Sequence, residues 1–359
     1  MNTTQRVRRA GLATVAALVI GGSGVAIGAA ATDSSASGTT AAATATATPG
    51  PAAPGPASYA SVVRQVLPSV VLIRTENGLG SGVVLDRSGN IVTNAHVAGN
   101  ATNFQVQVAG DTAPRSARLV GTYPPDDLAV IRADDPSGLQ PATFGDSAKV
   151  QAGDVVLAIG NPLGLSGSVT QGIISATDRA VTEPATDGSP AATLPGAIQT
   201  SAPINPGNSG GALVSASGQV VGIPTLAAGS PQGGGQAQGI GFAIPSNLAR
   251  DIATQIIETG HVTNSHRAAI GAEVATVLGP DGTAGGVGVV AVTNGGGAER
   301  AGLRAGDVIT AVGGAQTTDT TALSQALAAA KPGDTVTVTV SRDGQERNVQ
   351  VTLGELPGS

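Results

Sequence analysis

Short apolar runs bounded by turn-forming residues fill the chain from Tyr59 to about Ser246. Each run is rich in Val, Ile and Leu, as expected for β-strands. The runs are 70–73, 82–85, 90–93, 104–108, 128–131, 155–159 and 219–223. Many short strands at regular spacing predict a β-sandwich or barrel. Residues 181–196 and 227–239 are predicted as surface loops, and a helix capped by Ser246 is predicted to run to about Thr259.

A smaller unit of the same kind follows a polar connector at 260–267. Its β-type runs lie at 288–292, 307–312, 335–341 and 347–353. Asp343-Gly344, between the last two runs, is typical of a hairpin turn. A helix is predicted near 320–330, where Leu323 and Leu327 share one face. The chain is therefore expected to be mostly β, with one domain over 58–260 and a second over 267–355.

The first 57 residues lack the strand pattern and are predicted to serve targeting and spacing. Three arginines within the first nine residues precede 22 uncharged residues, 10–31. A positive segment before an apolar one is typical of a signal peptide or a membrane anchor, here 1–31. Residues 32–57 are almost entirely Ala, Thr, Ser, Gly and Pro and predict a disordered linker. The rest of the chain is expected in an extracytoplasmic location, with residues 10–31 as its membrane tether if they are retained.

The composition removes several classes of function. The 359 residues include no cysteine, which excludes disulfides, cysteine nucleophiles and thiolate metal sites. Three histidines in total argue against a histidine-rich metal site, and we expect neither a metal nor a cofactor. A net charge of −6 offers no general attraction for nucleic acid, so no nucleic-acid partner is expected.

One serine lies among glycines in an otherwise apolar region, in Gly207-Asn208-Ser209-Gly210-Gly211. Glycines permit a tight turn that presents the hydroxyl and lets a substrate carbonyl approach. Upstream are His96, the only histidine before residue 260, and the pair Asp126-Asp127. Histidine, aspartate and serine in this order are the parts of a catalytic triad of chymotrypsin-like topology.

In that interpretation His96 is the general base, one of the two aspartates orients it, and Ser209 is the nucleophile. The backbone N–H groups of Gly207, Asn208 and Ser209 are the candidates for an oxyanion hole. Each signal alone has a structural alternative: a glycine-rich surface turn, a hydrogen-bonding histidine, or an aspartate pair at a strand start. Their joint occurrence in one β-rich domain favours catalysis. The spacing does not distinguish which of the two aspartates orients His96.

Over about residues 60–355 the chain resembles the HtrA (Deg) family of trypsin-like serine proteases, which carry a C-terminal PDZ domain. The stretches that carry the resemblance are 80–84, 89–97, 127–130, 159–164, 169–175, 198–200, 205–211, 239–245 and, in the second unit, 298–309. The resemblance implies that Asp127 rather than Asp126 is the triad member, and that two β-barrels hold the triad between them. It also implies ATP-independent cleavage of unfolded or damaged proteins and assembly as a homotrimer.

The same resemblance implies two binding regions. Ile204, Ile223 and Thr225 are expected to bind substrate, and the two isoleucines predict a modest S1 pocket for small aliphatic side chains. In the second domain, a peptide C-terminus is expected to add as a strand beside a helix, with its carboxylate on backbone N–H groups. The residues expected to bind that peptide are Ala269, Ile270, Gly271, Ala272 and Leu323.

Two positions depart from the pattern of that family. Ser201-Ala202-Pro203 replaces a segment that usually carries an aspartate and no proline, so the loop before the nucleophile is expected to be stiffer. Pro224 removes a backbone donor near the expected S1 wall. The alternative function is therefore a proteolytically silent binding protein or a chaperone-like holdase, in which the second domain carries the activity.

Overall fold

The structure is a computed structural model that describes residues 58–76, 78–161, 167–183, 192–205, 207–229, 236–279 and 282–357. The predicted signal peptide or anchor at 1–31 and the predicted linker at 32–57 lie outside these residues. Within the described ranges, no helix is long and apolar enough to cross a membrane. The fold is mostly β-strand, as the hydrophobic pattern predicts.

Six antiparallel strands form a first closed barrel in the order β1-β2-β3-β6-β5-β4. They are β1 (Val70–Arg74), β2 (Leu79–Val84), β3 (Asn90–Thr93), β4 (Asn103–Val108), β5 (Arg115–Tyr123) and β6 (Leu128–Ala133). On β4, Phe104, Val106 and Val108 are buried while Asn103 and Gln105 are exposed, which is the alternation expected of a strand with one face inward. Pairing of β1 with β4 closes the barrel.

A second closed barrel follows, in the order β10-β11-β12-β9-β8-β7. Its strands are β7 (Val155–Gly160), β8 (Ser168–Glu183), β9 (Ala192–Thr200), β10 (Ala212–Ser215), β11 (Val220–Gly229) and β12 (Gln236–Pro245). The strands continue into both segments predicted as loops: Val181 pairs with Leu194, and Gly229 pairs with Gln236. That part of the loop prediction is wrong, because cross-strand pairing overrides the low β-propensity of Gly- and Pro-rich segments.

Two helices pack on the apolar cluster shared by the barrels. α1 (Tyr59–Val66) precedes the first barrel and α3 (Ser246–Thr259) follows the second. The cluster includes Val62, Val66, Val70, Leu157, Ile223, Ile252 and Ile256. The predicted cap is wrong: α3 begins at Ser246 with Pro245 before it, and the Ser246 hydroxyl donates instead to the Gly145 carbonyl at 2.9 Å. The predicted end at Thr259 is confirmed.

The second domain is a separate sheet with its own core. Its main sheet has the order β14-β15-β16-β18-β19, with β17 on β16, while β13 pairs with β20. The elements are β13 (Ala268–Ala269), β14 (Ala272–Leu278), β15 (Ala284–Val292), α4 (Gly297–Arg300), β16 (Val308–Val312), β17 (Ala315–Gln316), α5 (Thr320–Leu327), β18 (Thr335–Arg342), β19 (Gln345–Thr352) and β20 (Gly354–Glu355). The short helix α2 (Ala95–Ala98) belongs to the first barrel.

Two local predictions in this domain are confirmed. Asp343 and Gly344 join β18 to β19 with positive φ angles of 55° and 76°, as a tight hairpin turn requires. Helix α5 starts at Thr320 as predicted but ends at Leu327, before residue 330. Asp319 caps α5, since its side chain accepts the Ala322 N–H at 2.8 Å.

Candidate active site

His96 comes shortly after β3, on helix α2, and its ring faces Asp127. Nδ1 of His96 lies 2.8 Å from Oδ2 of Asp127, and the His96 backbone N–H donates to Oδ1 at 2.9 Å. Because a carboxylate accepts, the proton is assigned to Nδ1, and Nε2 becomes the basic nitrogen. The side chain of His96 is 30% exposed and that of Asp127 is 2% exposed. The imidazole ring therefore lies between a buried carboxylate and the solvent-accessible surface.

Asp127 is held by its backbone as well as by its side chain. It follows a 3-10 turn, Pro124–Asp126, and has left-handed backbone angles of φ 51° and ψ 43°. Such angles are uncommon outside glycine, although aspartate adopts them more readily than most residues. The Asp127 carbonyl accepts the Ala95 N–H and the Asn94 side-chain amide, both at 3.1 Å. The segment that carries the histidine is thereby tied to the aspartate.

Thr225, on β11 of the second barrel, lies between Asp127 and Ser209. Its hydroxyl donates to Oδ2 of Asp127 at 2.5 Å, and its carbonyl accepts the Ser209 hydroxyl at 3.0 Å. The sequence predicts Thr225 to bind substrate, whereas the structure joins this buried residue to two of the three predicted catalytic residues. No local pattern could have shown this contact, because Thr225 and Asp127 are 98 positions apart.

The turn around Ser209 requires glycine. Gly210 has a φ of +78°, and a Cβ atom at this position would lie 2.2 Å from the carbonyl oxygen of Ser81. A Cβ at Gly211 would lie 2.4 Å from the carbonyl oxygen of Ile159. The backbone of the first barrel and that of β7 therefore press directly on the turn, and a side chain on either glycine would displace Ser209.

Ser81, on β2, fastens the first barrel to this turn. Its N–H donates to the Ser209 carbonyl at 3.0 Å, and its hydroxyl donates to the Gly207 carbonyl at 2.6 Å. The same hydroxyl accepts the Asn161 N–H at 2.8 Å. Sequence reasoning assigned Ser81 no function. The available signal was a hydroxyl residue between two glycines in an otherwise apolar strand, and the structure shows the residue to be fully buried.

The backbone amides of the predicted oxyanion hole are not equivalent. The Asn208 N–H donates to the Asn205 carbonyl at 3.0 Å, so it is committed to a turn in which Gly207 has a φ of +104°. The amides of Gly207 and Ser209 donate to no carbonyl within the part of the chain that the structure describes. The amides of Gly207 and Ser209 therefore stay candidate oxyanion donors. The Asn208 amide does not, because it already donates to the Asn205 carbonyl.

Ile204 and Ile223, both predicted to bind substrate, are buried in separate apolar clusters. Ile204 is 4% exposed and packs inside the second barrel, where a Cβ atom on Gly241 would lie 2.4 Å from its Cγ1. Ile223 is 0% exposed and belongs to the cluster between the barrels. Both side chains are therefore covered by neighbouring apolar residues, and the S1 pocket for small aliphatic side chains stays a prediction.

The unusual segment Ser201-Ala202-Pro203 is tied to β8. The Ser201 N–H donates to the Ile173 carbonyl at 3.0 Å, and the Ile173 N–H donates to the Ser201 hydroxyl oxygen, also at 3.0 Å. The Pro203 carbonyl accepts the Thr170 hydroxyl at 2.7 Å. Hydrogen bonds to one strand thus hold both ends of the segment, which agrees with the expected stiffness of this loop.

Asp126, the rival candidate for the triad, faces away from the histidine. It is fully buried, and its Oδ1 accepts a hydrogen bond from the Arg267 guanidinium at 3.1 Å. Burial raises the pKa of Asp126 to about 6, while the positive charge of Arg267 acts in the opposite direction. The structure therefore brings Asp127, and not Asp126, to His96.

In the second domain, an apolar groove of about 160 Å³ lies between β14 and α5. Of the residues predicted to bind a peptide, the groove is lined by Ala269, Ile270, Ala272 and Leu323, joined by Val274 and Leu327. Gly271 does not line it, and its carbonyl accepts the Thr293 N–H at 2.9 Å. Among the described strands β14 pairs only with β15, so its other edge has no strand partner.

The two six-stranded barrels contribute a histidine, an aspartate and a serine in a glycine-rich turn, and a small sheet with an apolar groove follows them. This combination defines a trypsin-like peptidase joined to a PDZ domain. The family comparisons agree with this class. Residues 80–223 match the trypsin-like peptidase domain family, and residues 262–353 match the PDZ domain family.

Individual relatives identify the family. Serine protease PepD of Mycobacterium tuberculosis is 39% identical over 317 residues, covering 83% of this chain and 66% of PepD. The periplasmic pH-dependent serine endoprotease DegQ of Escherichia coli is 34% identical over 330 residues, covering 82% of this chain and 70% of DegQ. The solved structure of the HtrA-type protease AlgW with a decapeptide has a TM-score of 0.55 and 35% identity, covering 84% of this chain and 99% of AlgW. The chain belongs to the HtrA/DegP/DegQ family of serine proteases, and it spans about two thirds of the length of PepD and DegQ.

Proposed function

We propose that this chain is a serine endopeptidase that works outside the cytoplasm and cleaves unfolded or damaged proteins without ATP. The observation that carries the proposal is the hydrogen-bonded series from His96 through Asp127 and Thr225 to Ser209. The periplasmic description of DegQ and the predicted signal peptide or anchor at 1–31 support the location. In this proposal residues 58–260 are the protease domain and 267–355 are the PDZ domain.

The proposed triad is His96, Asp127 and Ser209. The Ser209 hydroxyl donates to the Thr225 carbonyl in the structure, and for catalysis it has to donate to Nε2 of His96 instead. Oγ then attacks the scissile carbonyl carbon, its proton passes to Nε2 of His96, and the carbonyl electron pair moves to oxygen. The Asp127 carboxylate stabilises the resulting imidazolium through Nδ1–H.

The amides of Gly207 and Ser209 are proposed to bind the oxyanion, and loss of one such donor costs on the order of 10²–10³ in kcat. The tetrahedral intermediate collapses as the C–N bond breaks, and His96 returns its proton to the leaving amine. Water then attacks the acyl-enzyme, gives a proton to His96, and a second collapse releases the carboxylic acid and restores the Ser209 hydroxyl. The reaction needs no metal and no cofactor.

The second domain is proposed to bind peptide C-termini in the groove beside β14. An added strand would pair with the edge of β14 opposite β15, and its last side chain would enter the apolar groove that includes Ile270, Val274 and Leu323. The decapeptide in the AlgW structure supports a peptide ligand for this family. A homotrimer is proposed from the resemblance, and light scattering of the purified chain tests it.

The test of the proposed function is cleavage of unfolded casein by the full chain beside its Ser209→Ala variant. We expect cleavage, and covalent labelling by a fluorophosphonate, only with the wild-type serine. Neither cleavage nor labelling in wild type, even with C-terminal peptides present, would overturn the proposal. If the chain then suppressed aggregation of an unfolded client, the holdase alternative would replace it, with Ser201-Ala202-Pro203 as the first segment to restore to the usual family sequence.

A further inference from the structure

The guanidinium of Arg267, in the connector between the domains, reaches into the protease domain. Its Nη1 donates to the Pro125 carbonyl at 2.6 Å and to Oδ1 of Asp126 at 3.1 Å. The Arg267 side chain is 12% exposed and that of Asp126 is 0% exposed. This contact is therefore a mostly buried ion pair, in contrast to the solvent-exposed pair of Arg118 and Asp134.

The main chain of Arg267 is part of the second domain. Its carbonyl accepts the Leu356 N–H at 2.7 Å, and its own N–H donates to the Ser265 hydroxyl oxygen at 3.3 Å. The Ser265 hydroxyl donates in turn to the Leu356 carbonyl at 2.8 Å. Directly after Arg267, β13 pairs with β20. The sheet of the second domain thus holds the backbone from which the guanidinium extends.

The other end of the contact is the turn that presents the triad aspartate. Pro125 and Asp126 lie within the 3-10 turn, which the Asp127 N–H closes by donating to the Pro124 carbonyl at 2.9 Å. The next residue, Asp127, has the left-handed angles that aim its carboxylate at His96. A shift of this turn would move Asp127, because no residue lies between the two that could absorb it.

We infer that Arg267 is a positioning residue for catalysis: through Pro125 and Asp126 it holds the turn that sets Asp127 against His96. The inference rests on the proposed function, and it assigns the connector a task besides joining two domains. Pro125 and Asp126, which Arg267 contacts, do not touch the reacting atoms. The effect of Arg267 on catalysis therefore passes entirely through Asp127. A guanidinium suits this task because it stays charged at all relevant pH values and its N–H groups can serve two acceptors.

The test uses the full chain with Arg267→Gln, Arg267→Lys and, as a matched control, Arg118→Gln at the exposed ion pair. Misplacement of a catalytic group by about 1 Å costs about 10²-fold in rate, so we expect Arg267→Gln to lower kcat between about 10-fold and 100-fold with KM nearly unchanged. A less well-placed Asp127 stabilises the imidazolium less, so the pKa of His96 is expected to fall. Arg267→Lys keeps the positive charge and a hydrogen-bond donor. It is therefore expected to restore part of kcat and part of the His96 pKa.

The pKa of His96 is measured by NMR titration of its ring, and independently from the acidic limb of the pH dependence of kcat/KM. Equal kcat and equal His96 pKa in Arg267→Gln and Arg118→Gln would overturn the inference while leaving the proposed function intact. If wild type showed no proteolysis, the proposed function would fail, and the NMR pKa of His96 would still decide the inference. If Arg267→Gln failed to fold, the comparison of Arg267→Lys with wild type would decide it, with an unchanged pKa and kcat as the contradicting result.

Discussion

The hydroxyl of Thr225 donates to Oδ2 of Asp127, the same carboxylate oxygen that faces Nδ1 of His96. Thr225 belongs to the second barrel, whereas Asp127 and His96 belong to the first. The carboxylate therefore receives one donor from each barrel on one oxygen, and the His96 backbone N–H on the other. Because the Thr225 carbonyl also accepts the Ser209 hydroxyl, one residue contacts both ends of the proposed triad.

Removal of the Thr225 hydroxyl is the direct test of this relationship. Thr225→Val keeps the shape of the side chain and removes the donor, so kcat/KM is expected to fall about 10-fold, equivalent to about 1.4 kcal/mol for one hydrogen bond to a charged group. Thr225→Ser keeps the donor and is expected to retain most of the activity. Steady-state cleavage of a peptide substrate measures both, and equal rates for the two variants would contradict a function for the hydroxyl.

Ser81 offers a second test, on the oxyanion side of the site. Its hydroxyl connects the Gly207 carbonyl to the Asn161 N–H, so Ser81→Ala leaves both buried groups without this partner. We expect a drop in kcat of about 10-fold or more and a loss of about 1–3 kcal/mol in the free energy of unfolding. The exposed Ser88→Ala is the matched control and should change neither kcat nor the urea midpoint. A wild-type kcat in Ser81→Ala would show that the turn at Gly207 keeps its position without the hydrogen bond to the Gly207 carbonyl.

Much of the fold could be predicted because its signals are local. The alternation on β4 and the Asp343-Gly344 turn each depend on a few neighbouring residues, and both appear in the structure as expected. The pairing of Val181 with Leu194 could not be predicted, because residues 181–196 include three prolines and two glycines, which have low β-propensity. The Ser246 cap was wrong because the hydroxyl found a more distant acceptor, the Gly145 carbonyl.

The candidate site likewise has some features with local sequence signals and others that depend on the folded chain. The positions of His96 and Ser209 could be proposed from short motifs and their order in the chain, whereas only the family resemblance distinguished Asp127 from Asp126. The commitment of the Asn208 amide and the burial of Ile204 depend on backbone geometry and packing that no motif expresses. Likewise, the contact of Arg267 with Asp126 joins positions 141 residues apart, so it follows only from the assembled fold.

Gly210 tests the claim that the turn around Ser209 has no room for a side chain. A Cβ at Gly210 would collide with the Ser81 carbonyl oxygen, at 2.2 Å, and its φ of +78° is unfavourable for alanine. Gly260 is the matched control, because its φ is +82° and nothing lies within 4 Å of a Cβ built there. Gly260→Ala is expected to cost about 1–2 kcal/mol of stability from the backbone angle alone and to keep its activity.

Gly210→Ala is expected to be destabilised further and to lose more than about 100-fold in kcat/KM, through misplacement of Ser209. Similar losses in both variants, measured by urea unfolding and peptide cleavage, would show that the collision is relieved.

The pH dependence of stability tests the burial of Asp126. Burial raises the pKa of its carboxyl from an ordinary value of 3.8 to about 6, with Arg267 and His266 acting in the opposite direction. Between these two values the folded chain binds more protons at this position than the unfolded chain, so this carboxyl lowers stability progressively as pH rises from about 4 to about 6. Above pH 6 the Asp126 carboxyl is ionised in both the folded and the unfolded chain. Its destabilising effect is then constant, on the order of 2–3 kcal/mol at about 1.4 kcal/mol per pKa unit.

Asp126→Asn removes this titration while keeping an oxygen that can accept from Arg267. The Arg267 guanidinium stays charged throughout, so its interaction with position 126 changes with pH only through the titration of the Asp126 carboxyl, which the variant lacks. The free energy of unfolding of the variant minus that of wild type is therefore expected to rise between pH 4 and pH 6 and to level off above it. Urea unfolding at closely spaced pH values measures this difference. A difference that stays flat between pH 4 and pH 6 would show that folding does not raise the pKa of this carboxyl, and a fall confined to the region below about pH 4 would show that the charge of Arg267 outweighs burial.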